Sequence, residues 1–192
     1  MLILVRHGRT LSNATGILQG RVDNPLDDVG AAQVAQVAAA LGPVDRVITS
    51  SLLRARQTAA MFSAPITVDD RWIELDYGSF DGVPLADVPP EAWISWRSDR
   101  TFAPPGGESM GDLDLRVRAA AAEILEAART EVVVVVSHVS PIKAAVAWSI
   151  GGDVMMSWRM QLDQAAVSRI GAGPNGPALR SFNEVLYNAV AM

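Results

Sequence analysis

Three short stretches of the chain are apolar without alternation. Leu2–Val5 is the first, Arg46–Thr49 a weaker second, and Glu131–Ser137, with five consecutive valines, the most pronounced. A continuous apolar run of this length is the pattern of a strand buried on both faces. β-branched side chains pack well on a pleated surface and lose rotamers in a helix, so the valine run predicts a strand.

Between these runs the apolar positions recur at helical spacing. Asp27 or Asp28 is placed to cap a helix from about Val29 to Leu41, which Gly42-Pro43 stops. Ser51 is a candidate cap for a second helix, Leu52 to about Met61, ended by Ala64-Pro65. Ser109 or Asp112 opens an alanine-rich helix reaching about Arg129, and Pro141 marks the start of another that continues from Ile142 to Ile150. Toward the C-terminus, Ala165–Gly171 and Ala178–Glu184 flank a Gly-Pro-Asn-Gly-Pro stretch and predict a closing antiparallel pair. Tyr77–Gly111 carries no strong period, is rich in Pro and Gly and holds Trp93, Trp96 and Phe102, the pattern of a lid or binding loop. Strands alternating with helices imply a three-layer α/β/α fold with a mainly parallel central sheet. A single domain over 1–192, with a lid-like insertion at about 77–111, is expected.

Composition narrows the function classes. Of 192 residues, 49% are hydrophobic and 19% charged, with a net charge of −5. That balance excludes a nucleic-acid binder working through a broad basic face, so any phosphate chemistry must rest on a few placed cations. The absence of cysteine excludes disulfides, thiolate catalysis and cysteine zinc sites. No apolar stretch reaches membrane-spanning length and the N-terminus lacks a signal-peptide pattern, so a cytoplasmic protein with no membrane partner is expected.

The two histidines, His7 and His138, each follow a predicted buried strand directly. In parallel α/β sheets ligands bind at the carboxyl ends of the strands, where two histidines in like register would face one another. The spacing offers no His-x-x-x-His pair or clustered Asp, so no metal site is expected. Arg6 precedes His7, and Gly8 lets the chain turn sharply and bring backbone close to a ligand. Asn13 adds a neutral donor. Arg54 lies near the first turn of the helix after the Arg46–Thr49 strand, where backbone N–H groups also favour anions. Guanidinium forks match phosphate oxygens.

These residues carry a resemblance. Arg6-His7-Gly8-Arg9-Thr10 with Asn13 resembles the signature of the histidine phosphatase superfamily, which includes the cofactor-dependent phosphoglycerate mutases. Gln19-Gly20-Arg21 with Asp23-Asn24-Pro25-Leu26 and Gly30, then Ser50-Ser51-Leu52-Leu53-Arg54-Ala55 with Thr58-Ala59, resemble the family's next segments. Glu74-Leu75-Asp76-Tyr77-Gly78 with Asp81-Gly82, Pro105-Gly106-Gly107-Glu108-Ser109 and Ser137-His138 complete its order. The resemblance implies His7 as the nucleophile that becomes phosphohistidine. It implies Arg6, Arg54, His138 and Asn13 as holders of the phosphoryl oxygens, Gln19 and Gly20 as further substrate-binding positions, and Glu74 as the acid that protonates the leaving oxygen. It implies no metal and no cofactor. Phosphoryl transfer is mostly positioning and charge stabilisation, which fixed cations supply, and a neutral imidazole is a competent nucleophile.

Two positions depart from the family pattern: Arg9, where mutases carry an acidic or amide residue, and Val139, where many members carry Gly. The stretch from Glu74 to His138 is shorter than in the mutases, whose insertion excludes water from the phosphoenzyme. A shorter lid favours hydrolysis. The expected activity is therefore phosphomonoester hydrolysis of a small phosphorylated metabolite, with a phosphoglycerate mutase and a non-catalytic phospho-ligand binding module as alternatives. Ser137–Lys143 looks like the corresponding stretch of α-ribazole phosphatases, while other small members act on sugar phosphates, sugar acids or many monoesters. Trp93 and Trp96 stack on substrate or pack a lid helix, and Arg97 and Arg100 draw in anions or lie in water. Many such domains form homodimers, and no residue pattern here bears on that.

Overall fold

In the computed structural model, which describes residues 1–188, the chain opens with β1 (Leu2–Arg6), the short helix α1 (Leu11–Ala14) and α2 (Asp28–Leu41). β2 (Arg46–Thr49), α3 (Leu53–Ala59) and β3 (Ile66–Val68) follow, then α4 (Pro90–Ser98) and α5 (Met110–Ala127). β4 (Val133–Ser137), α6 (Val139–Ser149), β5 (Val167–Gly173) and β6 (Gly176–Glu184) complete the order. The expected domain runs 1–192, and its residues 189–192 lie outside the described ones.

The strands form one sheet in the order β3-β2-β4-β1-β5-β6. β3, β2, β4 and β1 are parallel, and β5 and β6 close the sheet antiparallel. This is the predicted α/β class with a mainly parallel sheet. Every residue of β1 and β4 is buried. Alternate side chains enter opposite layers: Leu2, Leu4, Val133 and Val135 face α5 and α6, while Ile3, Val5, Val134 and Val136 face α2 and α3. Each such side chain stabilises the fold by about 1.5–3 kcal/mol on leaving water. Among the described residues no helix is long and apolar enough to cross a membrane.

Some boundaries differ from expectation, each for a local reason. Ser51 does not cap α3, whose N-cap is Leu52 without a side-chain bond; the Asp23 carboxylate, from a distant loop, takes the Leu53 N–H at 2.6 Å. α6 begins at Val139, two residues before Pro141, because a first-turn position needs no N–H bond of its own. β3 escapes the apolar pattern because its three residues are exposed at the sheet edge.

The 77–111 region is less irregular than its composition suggests. It contains α4, entered at Pro90 beside Pro89, and α4 buries Ala92 and Trp96. Trp96 is the centre of a separate cluster with Leu18 and Val88, edge-on to Tyr77, Phe80 and Phe102. Trp96 is fully buried and therefore packs the 77–111 region together.

Candidate active site

Register alone brings the two histidines together. Arg6 of β1 pairs with Ser137 of β4, so the next residues, His7 and His138, leave adjacent parallel strands side by side. Their rings lie 5.1 Å apart, and both are buried. Thr49 of β2 pairs with Val136, which places Ser50 beside them; its Oγ lies 2.7 Å from His138 Nε2.

The tautomer of His7 follows from its partners. Nδ1 lies 2.7 Å from the Gly8 carbonyl, which can only accept, so Nδ1 carries the proton. Nε2 then holds a lone pair, and the Arg54 Nε–H donates to it at 3.3 Å.

Arg54, fully buried, is gripped through its two outer nitrogens, which donate to the carbonyls of Val22 (2.9 Å) and Gly20 (2.6 Å). Gly20 thus positions Arg54 through its backbone. A side chain there would strike Tyr77 and the Leu75 carbonyl at under 3 Å. Arg6 donates through Nη1 to the Leu162 carbonyl at 2.6 Å, while its Nε is buried with no partner among the described residues. His138 Nδ1 and Gln19 Nε2 are likewise buried and unpartnered. Buried polar atoms are rarely left so. Gln19 Oε1 is held by the Thr10 hydroxyl at 2.7 Å. Asn13 Oδ1 accepts from the Thr10 N–H in the capping box of α1.

Glu74 approaches from the other side. Its carboxylate accepts three backbone N–H groups: Leu75 (2.8 Å), Ser140 (3.1 Å) and Val139 (3.0 Å). The last two belong to the first turn of α6, whose N-cap, His138, offers no side-chain cap. Glu74 satisfies those orphan donors and meets the positive end of the helix. Val139, the departure from Gly, contributes its backbone here. Sequence reasoning missed what holds Glu74: Arg116 donates to the carbonyls of Arg71, Ile73 and Glu74 and pairs with Glu108 at 2.6 Å. The signal was Glu108 in the Pro-Gly-Gly-Glu-Ser motif, whose partner lies two helical turns on.

Burial dominates the electrostatics. Both histidines are held well below the usual imidazole range, first by desolvation and then by the nearby guanidiniums of Arg54 and Arg6. They are neutral at neutral pH. Desolvation brings Arg6 down to about 10, which leaves it charged. The Tyr77 phenol is pushed up by burial and by Glu74, and lies 3.3 Å from the Ser140 hydroxyl.

Other singled-out residues lie elsewhere. Arg9 Nε pairs with Asp27, the α2 cap, at 2.8 Å. Gly8 is required by packing, since a Cβ there would meet the Gly30 carbonyl at 2.5 Å. Arg97 stacks over Trp93 and Trp158, and Arg100 pairs with Asp114 and Asp153. Among the described residues no group of three or more His, Asp or Glu is gathered to hold a metal ion.

Residues 2–185 match the histidine phosphatase superfamily (branch 1). The chain is 34% identical to a bifunctional protein of Mycobacterium tuberculosis over 177 residues, 87% of this chain and 49% of that protein. It thus spans about half the length of the first curated relatives it matches. A probable phosphoglycerate mutase of Salmonella paratyphi B is also 34% identical, over 87% of this chain and 82% of that one. Among solved structures, mycobacterial glucosyl-3-phosphoglycerate phosphatase with VO3 superposes with a TM-score of 0.83 at 26% identity, covering 95% of this chain and 98% of that one.

Proposed function

The chain belongs to the histidine phosphatase superfamily, and from that premise we propose that it hydrolyses phosphomonoesters of small metabolites through phosphohistidine at His7, without a metal. The observation that carries this reading is the Nδ1 bond of His7 to Gly8, which leaves Nε2 as a neutral nucleophile beside Arg54.

In the first step Nε2 attacks phosphorus, an N–P bond forms, and the P–O bond to the alcohol breaks. Glu74 gives its proton to the departing oxygen, an assistance worth typically ~10²–10⁴-fold for a poor leaving group. Arg6, Arg54, His138 and Gln19, with Asn13 beside them, receive the phosphoryl oxygens as charge spreads over them. In the second step water loses its proton to Glu74 and attacks phosphorus. The N–P bond breaks, inorganic phosphate leaves, and His7 is restored. We place the reaction in the cytoplasm.

The likeness to a probable phosphoglycerate mutase keeps one rival. A mutase returns the phosphoryl group to a second acceptor instead of water. The test is release of inorganic phosphate from an aryl phosphate, sugar phosphates, 3-phosphoglycerate and α-ribazole phosphate in EDTA, with His7→Ala alongside. Release that persists in EDTA and falls by at least about 10⁴-fold in the variant is expected. Isomerisation of phosphoglycerate without release would establish the mutase. An unchanged His7→Ala rate would sink the nucleophile, and silence in every assay would favour a binding module.

A further inference from the structure

The loop over 18–24 contains no helix or strand, yet its Gly20 and Val22 carbonyls are the two acceptors that hold the outer nitrogens of Arg54. A loop backbone without a ladder has no internal means of aiming two carbonyls at one guanidinium. Its other side is occupied by a carboxylate. Asp81 accepts the consecutive N–H groups of Gly20 (2.7 Å), Arg21 (2.7 Å) and Val22 (2.8 Å), the first through Oδ1 and the other two through Oδ2. Successive N–H groups turned toward one anion form a nest. Asp81 is itself fixed. It closes the 3₁₀ turn Gly78–Phe80, and its neighbour Gly82 donates to the Leu18 carbonyl at 2.9 Å while Leu18 donates to Val83 at 2.8 Å. The segment fits closely around Gly20, where a Cβ would come within 3.3 Å of the Asp81 carboxyl carbon.

The Gly20 carbonyl and the Arg21 N–H belong to one peptide unit. A trans peptide is planar, so its C=O and N–H point in opposite directions. With the N–H on Asp81, the carbonyl is turned to the far side, where Arg54 Nη2 donates to it at 2.6 Å. The unit then has its donor end on an anion and its acceptor end on a cation, and each bond polarises the other. Among the described residues no ion pair joins Asp81 to Arg54, so the link runs through backbone; at longer range the Asp81 charge also favours the charged form of the buried Arg54. An aspartate serving its own turn accepts an N–H two residues on. Asp81 instead turns both oxygens to a loop 60 residues away along the chain.

We propose that Asp81 is a positioning residue for Arg54, acting through the Gly20–Arg21 peptide. It holds that peptide so that the Gly20 carbonyl, together with that of Val22, aims the guanidinium at His7 Nε2 and at a phosphoryl group bound there. Without the carboxylate the peptide is free to rotate, since Gly20 carries no side chain to oppose new φ and ψ values. Arg54 then keeps its charge and loses its aim. The inference rests on the phosphatase reading, in which Arg54 receives phosphoryl oxygens.

The test is a double-mutant cycle on the full chain, read as vanadate affinity by calorimetry and as kcat and KM on p-nitrophenyl phosphate. Asp81→Asn keeps the shape but turns an amide NH2 toward backbone N–H groups. It is expected to weaken vanadate binding and lower kcat by about 10- to 100-fold, with KM changed by less than about 3-fold. In an Arg54→Met background the same change is expected to alter vanadate affinity by less than about 2-fold, because no guanidinium is left to aim. The same factor in both backgrounds would mean that Asp81 acts independently of Arg54 and would overturn the proposal. An unchanged affinity in Asp81→Asn alone would overturn it too. Asp81→Ser, which leaves one short acceptor, repeats the cycle should Asp81→Asn fail to fold. Wild-type protein that neither binds vanadate nor releases nitrophenol would instead sink the phosphatase reading.

Discussion

The two halves of the site are built by different means. The phosphoryl half, His7, His138, Arg6 and Ser50, stands at the ends of adjacent parallel strands, and its spacing is set by backbone hydrogen bonding within the sheet. The acid half, Glu74 and Tyr77, is assembled from a loop leading into the 3₁₀ turn Gly78–Phe80 and from the first turn of α6, and side chains such as Arg116 and Trp96 hold it. One half inherits its precision from the sheet. The other must be tied in place, and its hydrogen bonds run from Glu74 to backbone donors rather than along a ladder. Under the proposed function, a scaffold of this kind would keep phosphoryl chemistry constant while the loop side varies the alcohol accepted.

Glu74→Gln separates the halves most strongly. Loss of the acid should lower kcat on an alkyl phosphate by about 10²–10⁴-fold and spare p-nitrophenyl phosphate, whose leaving group needs no proton. Parallel steady-state measurements on the two esters check this, and an equal loss on both would mean that Glu74 mainly supports structure. Trp96→Ala should cost about 3–5 kcal/mol of stability by emptying the cluster around Leu18 and Val88. Inhibition by vanadate, which addresses the phosphoryl half, should change far less at temperatures where the variant stays folded. Denaturant titration together with vanadate inhibition would expose a breakdown of that division.

The smallest effect concerns pH. Both histidines have folded-state values depressed below the unfolded value of about 6.5. Below that pH the unfolded chain binds the protons that the folded site refuses. Their contribution to stability is therefore complete above about pH 6.5 and is lost as pH falls toward the depressed values. Each histidine adds a slope of up to about 1.4 kcal/mol per pH unit. Denaturant midpoints at pH 7.5, 6.5 and 5.5 should be flat over the first interval and fall over the second. A flat response throughout would mean that the histidines are not held neutral by burial.

The valine run, Leu2–Val5 and Arg46–Thr49 announced the central strands, because burial on both faces demands apolar side chains at every position. The antiparallel pair at the C-terminus was readable from its turn residues. β3 was not, being short and exposed, and α4 was hidden by a proline-rich surround in which Pro90 in fact opens the helix. Ser50 was quoted only within a motif, since nothing local says that its hydroxyl meets His138. Arg116 sits in an ordinary amphipathic helix, and only its distance to Glu108 and to three carbonyls reveals its work.

What the sequence determined by itself is the α/β class, the strand ends that carry the two histidines, and the order of the motifs. These follow from side-chain polarity and local backbone preference, which act over a few residues. Tertiary structure decided the tautomer of His7, the grip of Gly20 and Val22 on Arg54, and the capping of α6 by Glu74. Each of these depends on which polar atoms are left without water and which partner the fold brings to them. That accounting closes only when distant segments pack.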